Sequence, residues 1–262
     1  MTARYDFEHL LVTEEGPVRT VTLNRPDQLN AVGSQMHREL GEVWGRLRRD
    51  PHARVVVLTG AGRGFCSGGD MAMTRAAIED EQARLETVEE ARRIVLEMTD
   101  FPLPVVAAVN GPAVGLGCSL ALFSDVVVMS EKAFFSDPHI TVGLVAADGG
   151  VIAWPLVTSL LWAKEFLLTG DRIPAERALQ MGMANYVVPA GDLLGTAYRV
   201  AGRIAVQPRQ AVQDTKRALN IHLSRAVAAV INFAFASETY SFTQPDVAAT
   251  VEEFAKLAAA KR

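Results

Sequence analysis

Cysteine is scarce in this sequence, since 262 residues contain only Cys66 and Cys118. Two cysteines do not make a disulfide framework, and neither belongs to a CxxC pair or to a Cys/His spacing typical of zinc sites. The five histidines are scattered, and the HExxH motif does not occur. The sequence therefore predicts no structural metal, and both cysteines are interpreted as small packing residues.

A large excess of one sign of charge is also missing, because the sequence has 26 basic and 30 acidic residues and a formal net charge of -4. Nucleic-acid binding would call for a basic face, so it is disfavoured.

The first ten residues carry charge where a signal peptide needs an apolar stretch. The most apolar region, residues 101–129, is interrupted by prolines, Asn110 and Asp125, which disfavours a membrane span. We expect a soluble cytoplasmic protein with no membrane partner.

Short β-rich runs alternate with helical patterns through the first two-thirds of the chain. Strands are predicted over residues 18–23, 54–59, 105–109 and 126–129, and helices over residues 34–49, with Ser34 as the cap, and 81–98. After about residue 151 the pattern is mostly helical and ends in two long helices, over residues 209–240 and 245–261. This order predicts an α/β core over residues 1–200 and a helical C-terminal region over residues 201–262, which covers the core or packs on a neighbour.

A glycine-rich turn, residues 60–70, follows the apolar strand RVVVLT. A dinucleotide-binding GxGxxG motif would need glycine at position 65, where the chain has Phe65, and the Lys-[Ser/Thr] ending of a phosphate-binding loop is missing. Nucleotide-phosphate binding is therefore disfavoured at this turn.

A second glycine-rich turn, residues 110–118, follows the strand PVVAAV. Glycine lets a ligand approach the backbone closely, and a helix that begins near Leu116 would direct its positive end at that ligand. If the two turns end adjacent parallel strands, each can give one N–H to the same anionic oxygen, which is a backbone oxyanion hole. The alternative is that both are only tight strand–helix connections.

Further motifs extend this pattern over nearly the whole chain. In order they are Asn24-Arg25-Pro26 with Asn30-Ala31, residues 64–70, residues 110–118, Ser124-Asp125, Gly143-Leu144, Gly149-Gly150, Leu168-Thr169-Gly170, residues 175–178, Gly182-Met183-Ala184 and Val187-Val188-Pro189. The ordered set resembles the crotonase superfamily, which includes enoyl-CoA hydratases and isomerases.

The resemblance implies an α/β fold, a spiral of ββα units, with a helical C-terminal region that takes part in trimer or hexamer assembly. It implies an acyl-CoA thioester substrate, with coenzyme A as part of the substrate and no separate cofactor. It further implies that the backbone N–H groups of Gly69 and Leu116 receive the thioester oxygen. The coenzyme A and the substrate would be held around Asn30, Ala31, Gly68, Asp70, Met71 and Gly115.

Both glutamates that handle water and the proton in the similar hydratases are absent. Ser119 stands at the first position and His139 at the second. We interpret Asp148, which lies between an apolar run and Gly149-Gly150, as an acid/base candidate or as the cap of the next helix. His139 is the second acid/base candidate, since its ordinary pKa suits proton transfer, or else a hydrogen-bonded loop residue.

Two other aspartates are interpreted as structural. The resemblance implies that Asp70 fixes its loop, and Asp137 is interpreted as a surface or turn residue. We therefore predict an enzyme of the enoyl-CoA hydratase or isomerase type in which Asp148 and His139 replace the glutamates. The alternatives are a non-catalytic acyl-CoA-binding relative and a thioester hydrolase or dehalogenase that uses Asp148 as nucleophile.

Overall fold

The computed structural model describes residues 5–259, which form nine strands and ten α-helices. The strands are β1 (Leu10–Glu15), β2 (Val18–Leu23), β3 (Val55–Gly60), β4 (Val105–Val109), β5 (Ala113–Val114), β6 (Val126–Ser130), β7 (Phe134–Ser136), β8 (Ile173–Pro174) and β9 (Tyr186–Val188). The helices are α1 (Ser34–Arg48), α2 (Met71–Glu79), α3 (Glu81–Thr99), α4 (Leu116–Leu122), α5 (Gly150–Val157), α6 (Leu160–Thr169), α7 (Ala175–Gln180), α8 (Leu193–Ala205), α9 (Arg209–Ser241) and α10 (Pro245–Ala259).

Six strands form the main sheet, in the order β1-β2-β3-β4-β6-β9. β1 and β2 are antiparallel, and every other neighbouring pair in this sheet is parallel. A smaller sheet has the order β5-β7-β8. β3 and β4 are buried over nearly their full length, as expected for continuous apolar runs in a parallel sheet that is covered on both faces. β3 and β4 are adjacent and parallel, so the glycine-rich turns that follow them leave the same edge of the sheet.

The sequence located most of the early elements within one or two residues. The strands predicted over residues 18–23 and 105–109 are confirmed at those bounds, and α1 and α3 are confirmed as helices. Ser34 is not the cap of α1, because Gly33 takes that position in extended conformation and Ser34 is the first helical residue. α2 was missed, as were β1 and the short strands β5 and β7–β9. The last two residues of the helix predicted over residues 245–261 lie outside the described part of the chain.

The C-terminal helices pack back onto the core. α9 contacts α3 and α5, and α10 contacts α2. The buried ammonium of Lys216 on α9 donates to Asp125 Oδ2 at 2.7 Å and to the Leu103 carbonyl oxygen at 2.8 Å. The predicted division at residue 200 falls inside α8, and the separate role of the C-terminal region stays a prediction.

Candidate active site

Backbone hydrogen bonds join the two glycine-rich turns. The N–H groups of Phe65 and Cys66 donate to the Pro112 carbonyl at 3.1 and 3.0 Å, and the N–H of Val114 donates to the Cys66 carbonyl at 2.9 Å. Gly68 has φ +87°, and a Cβ there would lie 3.0 Å from the Val114 carbonyl oxygen. This close approach explains why glycine stands at position 68, and it brings both turns to one cavity.

The predicted oxyanion donors, Gly69 and Leu116, line one cavity of about 70 Å³, which we call the inner cavity. Leu116 is the first residue of α4, so its N–H has no carbonyl partner within the helix. Neither its N–H nor that of Gly69 donates a hydrogen bond to any of the residues that the structure describes. Two unused donors at one cavity suit an oxyanion, and their catalytic role stays a prediction.

Two carboxylates lie on opposite sides of the His139 ring. Nδ1 of His139 is hydrogen-bonded to Asp137 Oδ1, and its Nε2 lies 3.5 Å from Asp148 Oδ2. The other oxygen of Asp148, Oδ1, accepts a hydrogen bond of 3.3 Å from Ser119 Oγ. The two predicted acid/base residues are therefore adjacent, and the serine that replaces a glutamate supports one of them.

Asp137 is not the surface or turn residue that the sequence suggested. Its side chain is fully buried, and it holds His139 through the ring nitrogen that faces away from Asp148. A carboxylate in this position fixes the tautomer of the imidazole and its orientation. The spacing of two residues between Asp137 and His139 was the signal in the sequence that could have revealed this pair.

Two glycines allow the aspartates to come this close. A Cβ on Gly149, which has φ +135°, would lie 2.7 Å from the Ser119 Cβ, and a Cβ on Gly150 would lie 2.2 Å from Asp137 Oδ2. Gly149 is also the N-cap of α5, and no side chain caps that helix. The alternative interpretation of Asp148 as a helix cap is therefore wrong, and its carboxylate is available to the cavity.

Burial and charge shift the pKa values of the cluster. Burial alone would lower the pKa of His139, but the nearby charges of Asp137 and Asp148 outweigh it and hold that pKa well above its ordinary value. Burial raises the pKa of Asp148, while the positive charge of His139 opposes the increase. The imidazole thus carries a proton near neutral pH and can act as an acid beside a carboxylate of increased basicity.

The same three side chains, Asp137, His139 and Asp148, offer ligand atoms that all lie within 4.8 Å of one another, a spacing that a metal ion could bridge. However, Asp137 already occupies Nδ1 of His139, and Asp148 faces Nε2 on the opposite side of the ring. The geometry therefore favours proton transfer over metal binding.

Two cavities share His139 among their lining residues. The inner one, about 70 Å³, contains Asp148 and the two candidate oxyanion donors, and α2 and α3 form part of its wall. The outer one, about 120 Å³, is lined by Gly68, Met71 and Gly115 among others. A larger groove, of about 720 Å³, lies between α8 and α9 and contains none of the predicted site residues.

The remaining predicted binding residues, Asn30, Ala31 and Asp70, line neither of these two cavities. The Asn30 side chain is fully buried and donates to the carbonyl oxygens of Ala61, Gly64 and Phe65, so it clamps the first glycine-rich turn. Asp70 caps α2 through the N–H of Ala72, which supports its structural interpretation.

Arg25 ties these residues together. Its guanidinium pairs with Asp70 at 3.3 Å and donates to the Ala31 carbonyl oxygen. Contact of Asn30, Ala31 and Asp70 with coenzyme A stays a prediction.

Sequence reasoning missed three charged or polar residues near the inner cavity. His37 on α1 is buried and hydrogen-bonded through Nδ1 to Glu90 on α3 at 3.1 Å. Glu238 on α9 is 5% exposed and also lines the cavity. No short motif includes these residues, and only the tertiary fold brings them together.

Comparisons with known proteins identify the family of this chain. The family model described as enoyl-CoA hydratase/isomerase matches residues 13–258. A probable enoyl-CoA hydratase of Mycobacterium leprae is 39% identical over 208 residues, which are 77% of this chain and 71% of that protein.

Solved structures show the same fold. An enoyl-CoA hydratase/isomerase from Mycobacterium paratuberculosis is similar with a TM-score of 0.92 and 49% identity, over 95% of this chain and 100% of that one. A β-diketone hydrolase from the cyanobacterium Anabaena is similar with a TM-score of 0.84 and 29% identity, over 90% and 95% of the two chains. The predicted crotonase-like fold, with its helical C-terminal region, is confirmed.

Proposed function

Because the chain belongs to the enoyl-CoA hydratase/isomerase family, it is an acyl-CoA enzyme, and we propose that it adds water to the double bond of a short 2-enoyl-CoA. The observation that carries this proposal is the position of His139 and Asp148 beside two unused backbone donors. Proton donor, proton acceptor and anion site thus line one cavity of about 70 Å³. That volume holds about two water-sized groups, which favours a short acyl chain.

The proposed reaction begins at the thioester carbonyl oxygen, which accepts hydrogen bonds from the N–H groups of Gly69 and Leu116. Asp148 takes a proton from water, and the water oxygen forms a bond to C3 of the substrate. The electron pair of the double bond moves to the thioester oxygen, and the two donors stabilise the resulting enolate.

The second proton transfer completes the hydration. Nε2 of His139 gives its proton to C2, and the enolate collapses to the 3-hydroxyacyl thioester. Asp148 then holds a proton and His139 lacks one. Transfer over the 3.5 Å between them restores the starting state. Isomerisation of the double bond would instead remove a proton from C4 and return a proton to C2, through a dienolate whose oxygen accepts hydrogen bonds from the same two donors.

Crotonyl-CoA in D₂O tests this reaction. We expect the ultraviolet absorbance of the enoyl thioester to fall, the product mass to increase by one water, and deuterium to enter at C2. If free thiol is released as fast as the substrate is consumed, the reaction is hydrolysis of the thioester and the proposed hydration is contradicted. Binding of crotonyl-CoA and longer enoyl thioesters without turnover would support the non-catalytic alternative instead.

Hydrolysis is the second candidate function. The Anabaena neighbour named a β-diketone hydrolase has a closely similar fold, and a carboxylate beside a protonated histidine is suited to activate water and to protonate a leaving group. In this reaction Asp148 would take a proton from the water, the water oxygen would form a bond to a carbonyl carbon, and the bond to the leaving thiolate or enolate would break as that group takes the proton of His139. Attack by Asp148 itself would leave an acyl adduct on that residue, which mass spectrometry of the quenched protein detects.

We also propose that the protein forms a homotrimer or a hexamer and needs no cofactor beyond the coenzyme A of its substrate. One helix among the described residues, α9, is long and apolar enough to cross a membrane by length and composition alone. Only 22% of its most apolar window is buried, and Phe233 and Tyr240 are 77% and 67% exposed. Contact with neighbouring copies of this chain would cover that surface.

A further inference from the structure

Glu238 is the charged residue of the inner cavity that the proposed hydration does not use. Glu238 lines the cavity from α9, and the residue is 5% exposed. Within the part of the chain that the structure describes, its carboxyl group makes no hydrogen bond and no ion pair. A buried carboxyl group without a partner is costly, so it needs a ligand or a role.

The surroundings of Glu238 favour its neutral form. Burial raises the pKa of Glu238 to about 8; the positive charge of His139 opposes this increase, and the negative charges of Asp148 and Asp137 add to it. Below that pH the carboxylic acid offers one O–H donor and an acceptor oxygen. A neutral acid in a closed cavity recognises hydroxyl or carbonyl groups rather than cations.

Other elements contribute polar groups to the same wall. His37 on α1 lines the cavity, and because its Nδ1 is bonded to Glu90, only Nε2 remains for a further partner. Thr87 on α3 lines the cavity as well. A simple alkyl chain would satisfy none of these groups, and an unsatisfied buried polar group costs about 1–3 kcal/mol.

We propose that Glu238 binds a second oxygen of the substrate, so that the preferred acyl group is short and carries a hydroxyl or carbonyl group beyond C3. This inference rests on the proposed function, because it names the substrate class of the same site. Glu238 is thus a specificity-determining residue, and His139 and Asp148 keep the proton transfers. Sites that hydrogen-bond a substrate hydroxyl reject analogues that lack it far more strongly than apolar pockets reject an added group.

An isosteric substrate pair tests the proposal. 4-Hydroxybut-2-enoyl-CoA and pent-2-enoyl-CoA differ only by a hydroxyl group in place of a methyl group. For the wild-type protein we expect kcat/KM to be at least about 100-fold higher with the hydroxylated thioester. Glu238→Gln keeps a donor and an acceptor and should retain most of this preference, whereas Glu238→Leu should lose it.

The controls separate this role from others. Glu165→Gln, an exposed substitution on α6, should leave the ratio unchanged, and thermal unfolding should show that Glu238→Leu folds. An equal loss for both thioesters in Glu238→Leu and Glu238→Gln would overturn the proposal in favour of a catalytic or structural role, as would a wild-type preference for pent-2-enoyl-CoA.

Binding of the saturated analogues, 4-hydroxybutyryl-CoA and pentanoyl-CoA, distinguishes failure of the proposed hydration from failure of the proposed role of Glu238. A preference for the hydroxylated analogue without turnover of either enoyl thioester would contradict hydration and leave the binding role of Glu238 intact. Turnover without any preference would contradict the role of Glu238 and leave hydration intact.

Discussion

His139 lies between two carboxylates with different surroundings. Asp137 is fully buried and bonded to Nδ1, on the side of the ring away from Asp148, whereas Asp148 lines the inner cavity and accepts from Ser119. Asp137 therefore positions the ring, and Asp148 is placed to exchange protons with a ligand. In the proposed hydration, His139 and Asp148 take the acid/base roles that two glutamates have in similar hydratases, and Asp137 positions His139.

Asp137→Asn tests the positioning role. The change removes a negative charge from Nδ1, so the pKa of His139 should fall. Since the imidazolium is the proposed acid, activity is present below that pKa and lost above it, and the alkaline limb of the pH profile should move to lower pH. We expect kcat to fall by about 10²–10⁴ with little change in KM, by analogy with other carboxylate–histidine pairs. An unchanged pH profile of kcat/KM would contradict this role.

At the scale of elements, the site depends on where the strands end. β3 and β4 are parallel neighbours, so their glycine-rich turns leave the same edge and Gly69 and Leu116 reach one cavity. The close packing of α4 against α5, through Gly149, brings Ser119 to Asp148. Asp137, His139 and Asp148 thus lie in the connection between β7 and α5, and the packing of α4 and α5 fixes this connection in place.

Leu116→Pro tests the oxyanion donor directly. Proline is tolerated at the first position of a helix, where the N–H has no helical partner, so α4 should form without the donor. Loss of one such donor costs about 2.7–4 kcal/mol of barrier, which is about 10²–10³ in kcat. Leu116→Ala keeps the N–H and serves as the matched control for the trimmed side chain. Equal activity of the two variants, with matching circular dichroism spectra, would contradict the role of this donor.

The sequence located the elements that have strong local patterns. The continuous apolar runs of β3 and β4, and the glycine-rich turns after them, predicted both the sheet and the candidate oxyanion hole. Asp137 was misjudged because burial of a loop residue depends on the elements packed over it. The two-residue strands β5 and β8 are too short for a periodic pattern. Glu238 could not be assigned, because the folding of α9 onto the core brings it to the cavity.

At the scale of the whole molecule, α9 has two different surfaces. One is anchored to the core by Lys216 and supplies Glu238 to the inner cavity. The other exposes large apolar side chains, including Leu219, Phe233 and Tyr240. Because contiguous exposed apolar surface marks interaction sites, the second surface favours assembly with further copies of the chain.

Phe233→Glu tests this assembly. Light scattering of the wild-type protein should give three or six times the 28.3 kDa of one chain. A buried charge at the interface should shift the variant towards the monomer, because an unpaired charge is costly to desolvate. Leu11→Glu, on the half-exposed edge strand β1, is the matched control and should not change the mass. A monomeric wild-type protein would contradict the proposed trimer or hexamer.

Comparison of Asp148→Asn with the wild-type protein is the most direct test of proton transfer at the oxyanion site. Steady-state hydration of crotonyl-CoA should fall by about 10²–10⁴ in this variant, the range expected for loss of a general acid–base group. Asp192→Asn, an exposed substitution at the start of α8, should retain wild-type kcat and KM. Undiminished hydration by Asp148→Asn would contradict the account, because the cluster around His139 would then not carry the chemistry.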